Sequence, residues 1–212
     1  CDFRRVAAEL DPAVRERFVR GGIRIIRNYN GPSGGGRFDL WKLKRWDEMF
    51  LTADRGVVED KCRAQGFEVV WGPGDRLRLI SQQDALRAHP ETGTPAWFNH
   101  VQVFHQSSAA AELRRVHARQ GDLRSLALTR LARVVTAVRR RTSDAEALPM
   151  HCTYRDGREI PEDDLEHVRE VIWRNMVAFP WQVGDVVAID NFAVSHGRLP
   201  YRGPRQVVVA WA

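Results

Sequence analysis

The 212 residues are 43% hydrophobic and include seven tryptophans, enough apolar and aromatic area for one packed core and too much for a disordered segment. No apolar run reaches membrane-spanning length and no signal-peptide pattern opens the chain, while Cys1, Cys62 and Cys152 are too few and too scattered for a disulfide framework or a zinc site, which points to a reducing cytoplasm. The net charge of +6 is carried by arginine far more than lysine and is interspersed with acids, so it reads as an arginine-rich composition before it reads as a nucleic-acid surface.

In chain order, Asp2 is placed to cap a short helix and Asp11-Pro12 to start another, with proline where its missing N–H costs nothing. The first residues already carry helical patterning without an initiating methionine, which predicts further protein ahead of Cys1. GGIRIIRNYN alternates like a strand, and GPSGGGR is a loop whose glycines lack the Lys-Ser/Thr ending of a phosphate-binding loop. WDEMFLTADRGVVEDKCRAQG predicts a helix stopped at Gly66. FEVVW, RLRLI and PAWFNHVQVFH predict strands separated by the turns GPGD and HPETGTP.

Residues 109–147 predict a basic helical insertion. Leu123, Leu126, Leu131, Val134, Val135 and Val138 approximate one face, with Arg124, Arg130, Arg133, Arg139, Arg140 and Arg141 elsewhere. PEDDLEHVREVIWRNMVAF predicts another helix, with Pro161 near its start, acids in the first turn, and Leu165, Val168, Ile172, Met176 and Phe179 on one face. GDVVAID, NFAVSHG and RQVVVAWA return to strands. Strands on both sides of helical insertions, without regular strand–helix alternation, predict one domain over 1–212. Its class is mainly β with helical insertions (α+β), of jelly-roll type rather than a doubly wound sheet.

The histidines divide by context. His117 and His167 fall in polar helical stretches and read as surface residues, and His151, before the turn YRDGRE, has no assigned role. His89 and Glu91 form a His-x-carboxylate pair, but Pro90 between them and Thr92-Gly93 after them make a surface turn. His100 and His105 flank an apolar run; on a strand their odd separation sends them to opposite faces, so at most one looks into a site. His196 ends the strand-like GDVVAIDNFAVSHGR, and Arg205 follows after LPYRGP on the next. A metal-assisted dicarboxylate site needs this pair: an imidazole to hold the ion and a guanidinium fork for the far carboxylate. A lone core histidine is the other reading that the residues leave open.

The segments DPAVRERF, IRNYN, WDEMF, CRAQGFEVVW, HPETGTPAWFNHVQVFH, YRDGREIPEDDLEHVRE and, most specifically, FPWQVGDVVAIDNFAVSHGRLPYRGPRQVVVAWA carry a resemblance. The chain resembles the iron(II)/2-oxoglutarate-dependent dioxygenases of the taurine dioxygenase superfamily, in their syringomycin-biosynthesis-like branch. The resemblance implies a double-stranded β-helix and an Fe(II) centre that uses 2-oxoglutarate and dioxygen. It makes His196 the distal metal ligand, Arg205 the partner of the 2-oxoglutarate C5 carboxylate, and Arg198 a further cofactor-binding residue. It puts Asn99 and His100 of the WFNH element on the substrate side.

The family's first histidine and its carboxylate stand in a His-x-Glu/Asp motif upstream of the segment that opens this chain. Of three protein iron ligands these residues supply one, the barrel is incomplete at its N-terminal side, and no fully coordinated metal is expected from this chain alone. Were one to form, His89, Glu91, His100 and His105 are its first expected donors. The implied reaction is oxidation, most commonly hydroxylation, of an unactivated C–H bond in an amino acid or a derivative of one, free or tethered to a carrier protein. Desaturation, ring closure and halogenation stay open, as does oligomeric state; no membrane partner is expected. The rivals are a non-catalytic family member and a basic module that contacts nucleic acid or a carrier protein through the helix from Arg124 to Arg141. Phosphate contacts of that kind would give binding a steep salt dependence.

Overall fold

Ile23, Ile25, Ile26 and Tyr29 are all buried, and the strand they form, β1 (Ile23–Tyr29), lies inside a four-stranded antiparallel sheet. The structure, a computed structural model, describes residues 1–32, 44–142, 144, 147–197, 203–204 and 206–210. Beside β1 run β3 (Arg76–Gln83) and β6 (Met150–Thr153), and β2 (Glu68–Gly72) pairs with the far edge of β3. Ile26 sits opposite Ile80 on one side and His151 on the other. A shorter pair joins β4 (Arg87–Ala88) to β5 (Pro95–Ala96).

Helices cover the sheet in two groups. Helices α1 (Phe3–Glu9), α2 (Pro12–Gly21) and α8 (Glu162–Arg174) bring Phe3, Val6, Phe18, Leu165, Val168 and Val171 into one core with Ile23, Ile25, Trp97 and Cys152. Helices α3 (Trp46–Phe50) and α4 (Arg55–Ala64) add Trp46, Val58 and Cys62 to a second core with Tyr29, Leu77 and Leu79. The expected caps hold: Asp2 accepts from Arg4 N–H, and Asp11 accepts from Ala13 and Val14 N–H ahead of Pro12. Arg17 grips Asp164 through two nitrogens, at 2.7 and 2.6 Å, and so ties α2 to α8. No described helix is long and apolar enough to cross a membrane, and the three cysteines are free.

Several local expectations are corrected. The segment from Trp46 is two helices, because Leu51 turns left-handed (φ 55°) and Asp54 caps a new start. PAWFNHVQVFH is not a strand beyond Ala96: the Asn99 side chain accepts from Val101 N–H and starts the short helix α5 (Val101–Phe104), overriding the β-propensity of its valines. The basic insertion is two helices, α6 (Ser108–Gln120) and α7 (Leu123–Thr142), broken at Gly121 with φ 68°. The buried face of α7 is Ser125, Thr129 and Ala132, while Leu123, Leu131, Val134 and Val138 are exposed. Small residues let α7 lie close on α6, where Ser125 Oγ meets His117 Nδ1 at 2.9 Å.

Helix α8 stops at Arg174, so Met176 and Phe179 lie beyond it. The expected C-terminal strands do not form ladders among the described residues. Only an isolated bridge joins Asp2 to Val194, and Val183, Val186, Val208 and Val209 are exposed. An alternating sequence suits a strand, but a strand also needs a neighbouring edge to take its N–H and C=O groups. Among the described residues only Cys1–Phe3 offers one, at residues 193–195. The described architecture is therefore mixed α/β around an antiparallel sheet.

Tyr154 gives a stability test. Burial first, then the nearby Asp164 carboxylate, pushes its phenol up to about 12, and its buried hydroxyl meets no hydrogen-bond partner among the described residues. A raised acid favours the folded state fully below its ordinary pKa near 10, and that advantage is lost as pH climbs from about 10 towards 12. Tyr154→Phe should therefore leave stability at pH 8 unchanged or up by about 1 kcal/mol, and lose less than the parent at pH 11. Urea melts at both pH values check this; a clear loss at pH 8 would show that the hydroxyl has a favourable partner.

Candidate metal-binding and anion-binding sites

Two groups of side chains have the chemistry to bind a ligand. In the first, the backbone N–H of His105 closes α5 onto Val101 O, and the imidazole is buried at the end of that helix. His151 is fully buried on β6, fixed opposite Ile26 by the strand register. A tight turn, with Gly157 N–H bonded to Tyr154 O and Tyr154 N–H to Arg158 O, returns the chain so that Glu159 comes back beside His151. His151 Nε2 lies 2.9 Å from Glu159 Oε1, His105 Nε2 lies 3.5 Å from Oε2, and the two ring centroids are 5.0 Å apart.

The electrostatics match this geometry. The nearby His105 imidazole outweighs burial and, with the His151 hydrogen bond, holds the Glu159 carboxyl down at about 2. Burial lowers the His105 imidazole, with Glu159 opposing it. His105 Nδ1 faces Ser107 Oγ at 2.8 Å, and Arg169 on α8 donates to that hydroxyl at 3.0 Å. His105 Nε2 and His151 Nδ1 are buried without a good hydrogen bond among the described residues.

The second group surrounds His196. This residue is exposed rather than at the end of a buried strand, and the chain before it is held by Ser195 N–H to Cys1 O and by the Cys1 amino group to Ser195 O. Ring desolvation, then the charges of Arg27 and His196, lower the pKa of His100, although the residue as a whole touches solvent. The Arg27 guanidinium lies over Phe67 at 5.6 Å and Phe104 at 4.9 Å from the ring centroids, and its Nε is buried without a hydrogen-bond partner among the described residues. Arg27 pairs with no carboxylate among the described residues. Three cationic or protonatable groups beside two aromatic rings make a setting for an anion such as a carboxylate.

The remaining predicted residues are placed as follows. Asn99 is buried and uses both ends of its amide on the backbone, donating to Ala85 O at 2.8 Å and accepting from Val101 N–H at 3.1 Å. It shapes the loop that presents His100. Arg198 and Arg205 lie outside the described residues. His89 is in the expected turn but buried: its Nε2 meets Asp190 Oδ2 at 2.9 Å and its Nδ1 accepts from Glu91 and Thr92 N–H. Both nitrogens are thereby occupied, so His89 and Glu91 do not act together on an ion. His151, given no role by its sequence context, is central to the first group. No short motif could have revealed it, because its partners come from separate elements.

Non-haem iron(II) oxygenase sites take two imidazoles and one carboxylate. Among the described residues His196 joins no group of three metal-binding donors, so those around it do not by themselves fit the ion. They do fit a carboxylate ligand. Among the described residues, the donor chemistry for a divalent ion is complete only in His105, His151 and Glu159, whose ligand atoms lie within 4.8 Å of one another.

A family model, taurine catabolism dioxygenase TauD, TfdA family, matches residues 1–211. The chain is 32% identical over 209 residues to the dapdiamide synthesis protein DdaC of Enterobacter agglomerans, covering 99% of this chain and 54% of that protein. It is 25% identical over 166 residues to a clavaminate synthase-like protein of Arabidopsis thaliana, covering 78% of this chain and 40% of that one. The chain thus spans about half the length of the relatives it matches.

Proposed function

The chain belongs to the TauD/TfdA dioxygenase family, and from that membership we propose that it is an iron(II)/2-oxoglutarate-dependent oxygenase acting in a biosynthetic pathway. Its substrate is an amino acid or an amino-acid-derived intermediate, oxidised at an unactivated C–H bond. The observation that carries this reading is the family match over residues 1–211, which runs through His196 and Arg205. The relation to a protein of dapdiamide synthesis supports the biosynthetic setting.

In this reading His196 is one protein ligand of the iron, and a His-x-Glu/Asp pair outside the 212 residues supplies the others. Arg205 takes the far carboxylate of 2-oxoglutarate through its planar fork, with Arg198 close in sequence. When bound, iron would activate dioxygen, the oxidant, and 2-oxoglutarate would supply two of the electrons that reduce it, leaving as succinate and carbon dioxide. The chain's own part is to bind and orient. Arg27 supplies positive charge for a substrate carboxylate beside the His100 imidazole, which burial and that charge keep neutral, and Phe67 and Phe104 flank the guanidinium. In this proposal the complete protein has the family's double-stranded β-helix.

The complete gene product, supplied with iron(II), 2-oxoglutarate and air, should release succinate, faster when the right amino acid is present. Succinate that never rises above an iron-free control, across a panel of amino acids, overturns the reading.

A further inference from the structure

We propose that His105, His151 and Glu159 form a divalent-metal site of their own, separate from the oxygenase centre assigned to His196. The three donors come from the end of α5, from β6 and from the loop ahead of α8, and their ligand atoms lie within 4.8 Å of one another. His196 contributes nothing to the group. Nor is the group a satisfied hydrogen-bond triad. The 3.5 Å between His105 Nε2 and Glu159 Oε2 is too long for a good hydrogen bond, and that buried nitrogen has no other partner among the described residues.

The same spacing suits a shared ion. Two ligands each about 2.0–2.2 Å from one tetrahedral ion stand roughly 3.3–3.5 Å apart. Ser107 holds the second ring nitrogen of His105 in place: its Oγ, itself held by Arg169, stands 2.8 Å from Nδ1, and its backbone N–H donates to Nδ1 at 3.2 Å, so Nε2 is aimed at Glu159. An ion at Nε2 would take the place of the proton there, with the ring proton moving to Nδ1, where Ser107 Oγ can accept it. Two imidazoles and a carboxylate select borderline ions such as Zn²⁺, Co²⁺ or Fe²⁺ over Mg²⁺ or Ca²⁺, which prefer oxygen. The Glu159 side chain is 54% exposed, so one side of the group is open to solvent for the ion to arrive and for water to complete the coordination. A bound ion would link three segments that are distant in sequence and stabilise the fold around them.

The test is a Co²⁺ titration of His196→Ala protein, in which the oxygenase ligand is gone. Visible absorption of an imidazole-bound cobalt ion and a raised melting temperature are expected. Adding Glu159→Gln, at a half-exposed position that tolerates the neutral amide, should weaken Co²⁺ binding by more than about tenfold. As a check that needs no substitution, Co²⁺ should broaden the imidazole resonances of His105 and His151 in the unaltered protein. Undisturbed resonances, no absorption in the His196→Ala protein, or binding unaffected by Glu159→Gln would each overturn the proposal. None of these outcomes bears on succinate release by the unaltered enzyme, so this site and the oxygenase reading fail separately.

Discussion

Replacing His196 with alanine should abolish iron-dependent succinate release while leaving the fold intact. The side chain is exposed, and the segment before it is held by backbone hydrogen bonds to Cys1 and Phe3 rather than by the ring. Surface substitutions of this kind shift stability by no more than about 0.5 kcal/mol, so a lost reaction would not reflect unfolding. The expected loss is large because an iron(II) centre of this class depends on all three protein ligands. Turnover should fall on the order of a hundredfold or more, beyond the tenfold to hundredfold that loss of a mere supporting contact brings. Succinate release, iron content and the melting curve are measured together. Full turnover in a protein with normal iron content would end the assignment of His196. A collapsed melting curve would instead give the ring a structural role.

How much of this was legible in the sequence depended on the range of the interaction that decides each feature. Caps were readable because Asp2, Asp11 and Pro12 act within three residues of themselves. Strands β1, β2 and β3 were readable because alternating apolar residues pair with one another in antiparallel register. PAWFNHVQVFH misled because its valines favour a strand while one side chain, Asn99, decides for a helix. In α7 the apolar stripe misled as well: the face that packs is set by what α6 presents, and that selected Ser125, Thr129 and Ala132 over Leu131 and Val134.

The site divides along the same line. His196 stood out because HGR and the distant GPR are local signals. The pairing of His105 with His151 and Glu159 depends on a strand register, a turn and a helix end, and a linear reading carries none of these. His100 was assigned to the substrate side from the WFNH element. The structure adds Arg27 beside it, a residue that the sequence presented only as one more position of a strand.

Arg27 also sharpens the test of Arg205, which stands nine residues after His196. Arg205→Ala should raise the KM for 2-oxoglutarate by roughly thirtyfold to several thousandfold, the equivalent of losing about 2–5 kcal/mol from a desolvated, hydrogen-bonded charge pair. Saturating 2-oxoglutarate should recover much of the turnover, since the lost contact binds the cosubstrate remote from the reacting atoms. Arg205→Lys should rescue little, because an ammonium is a point charge and cannot present two parallel N–H donors to a carboxylate. Arg27→Ala should behave differently. Its guanidinium lies between Phe67 and Phe104 beside His100, so its loss should raise the KM of the amino-acid substrate and leave that of 2-oxoglutarate nearly unchanged. Paired KM measurements on the two variants decide between the arginines. If Arg27→Ala weakens 2-oxoglutarate and Arg205→Ala does not, the cosubstrate carboxylate binds between the two aromatic rings, and the role given to Arg205 is wrong.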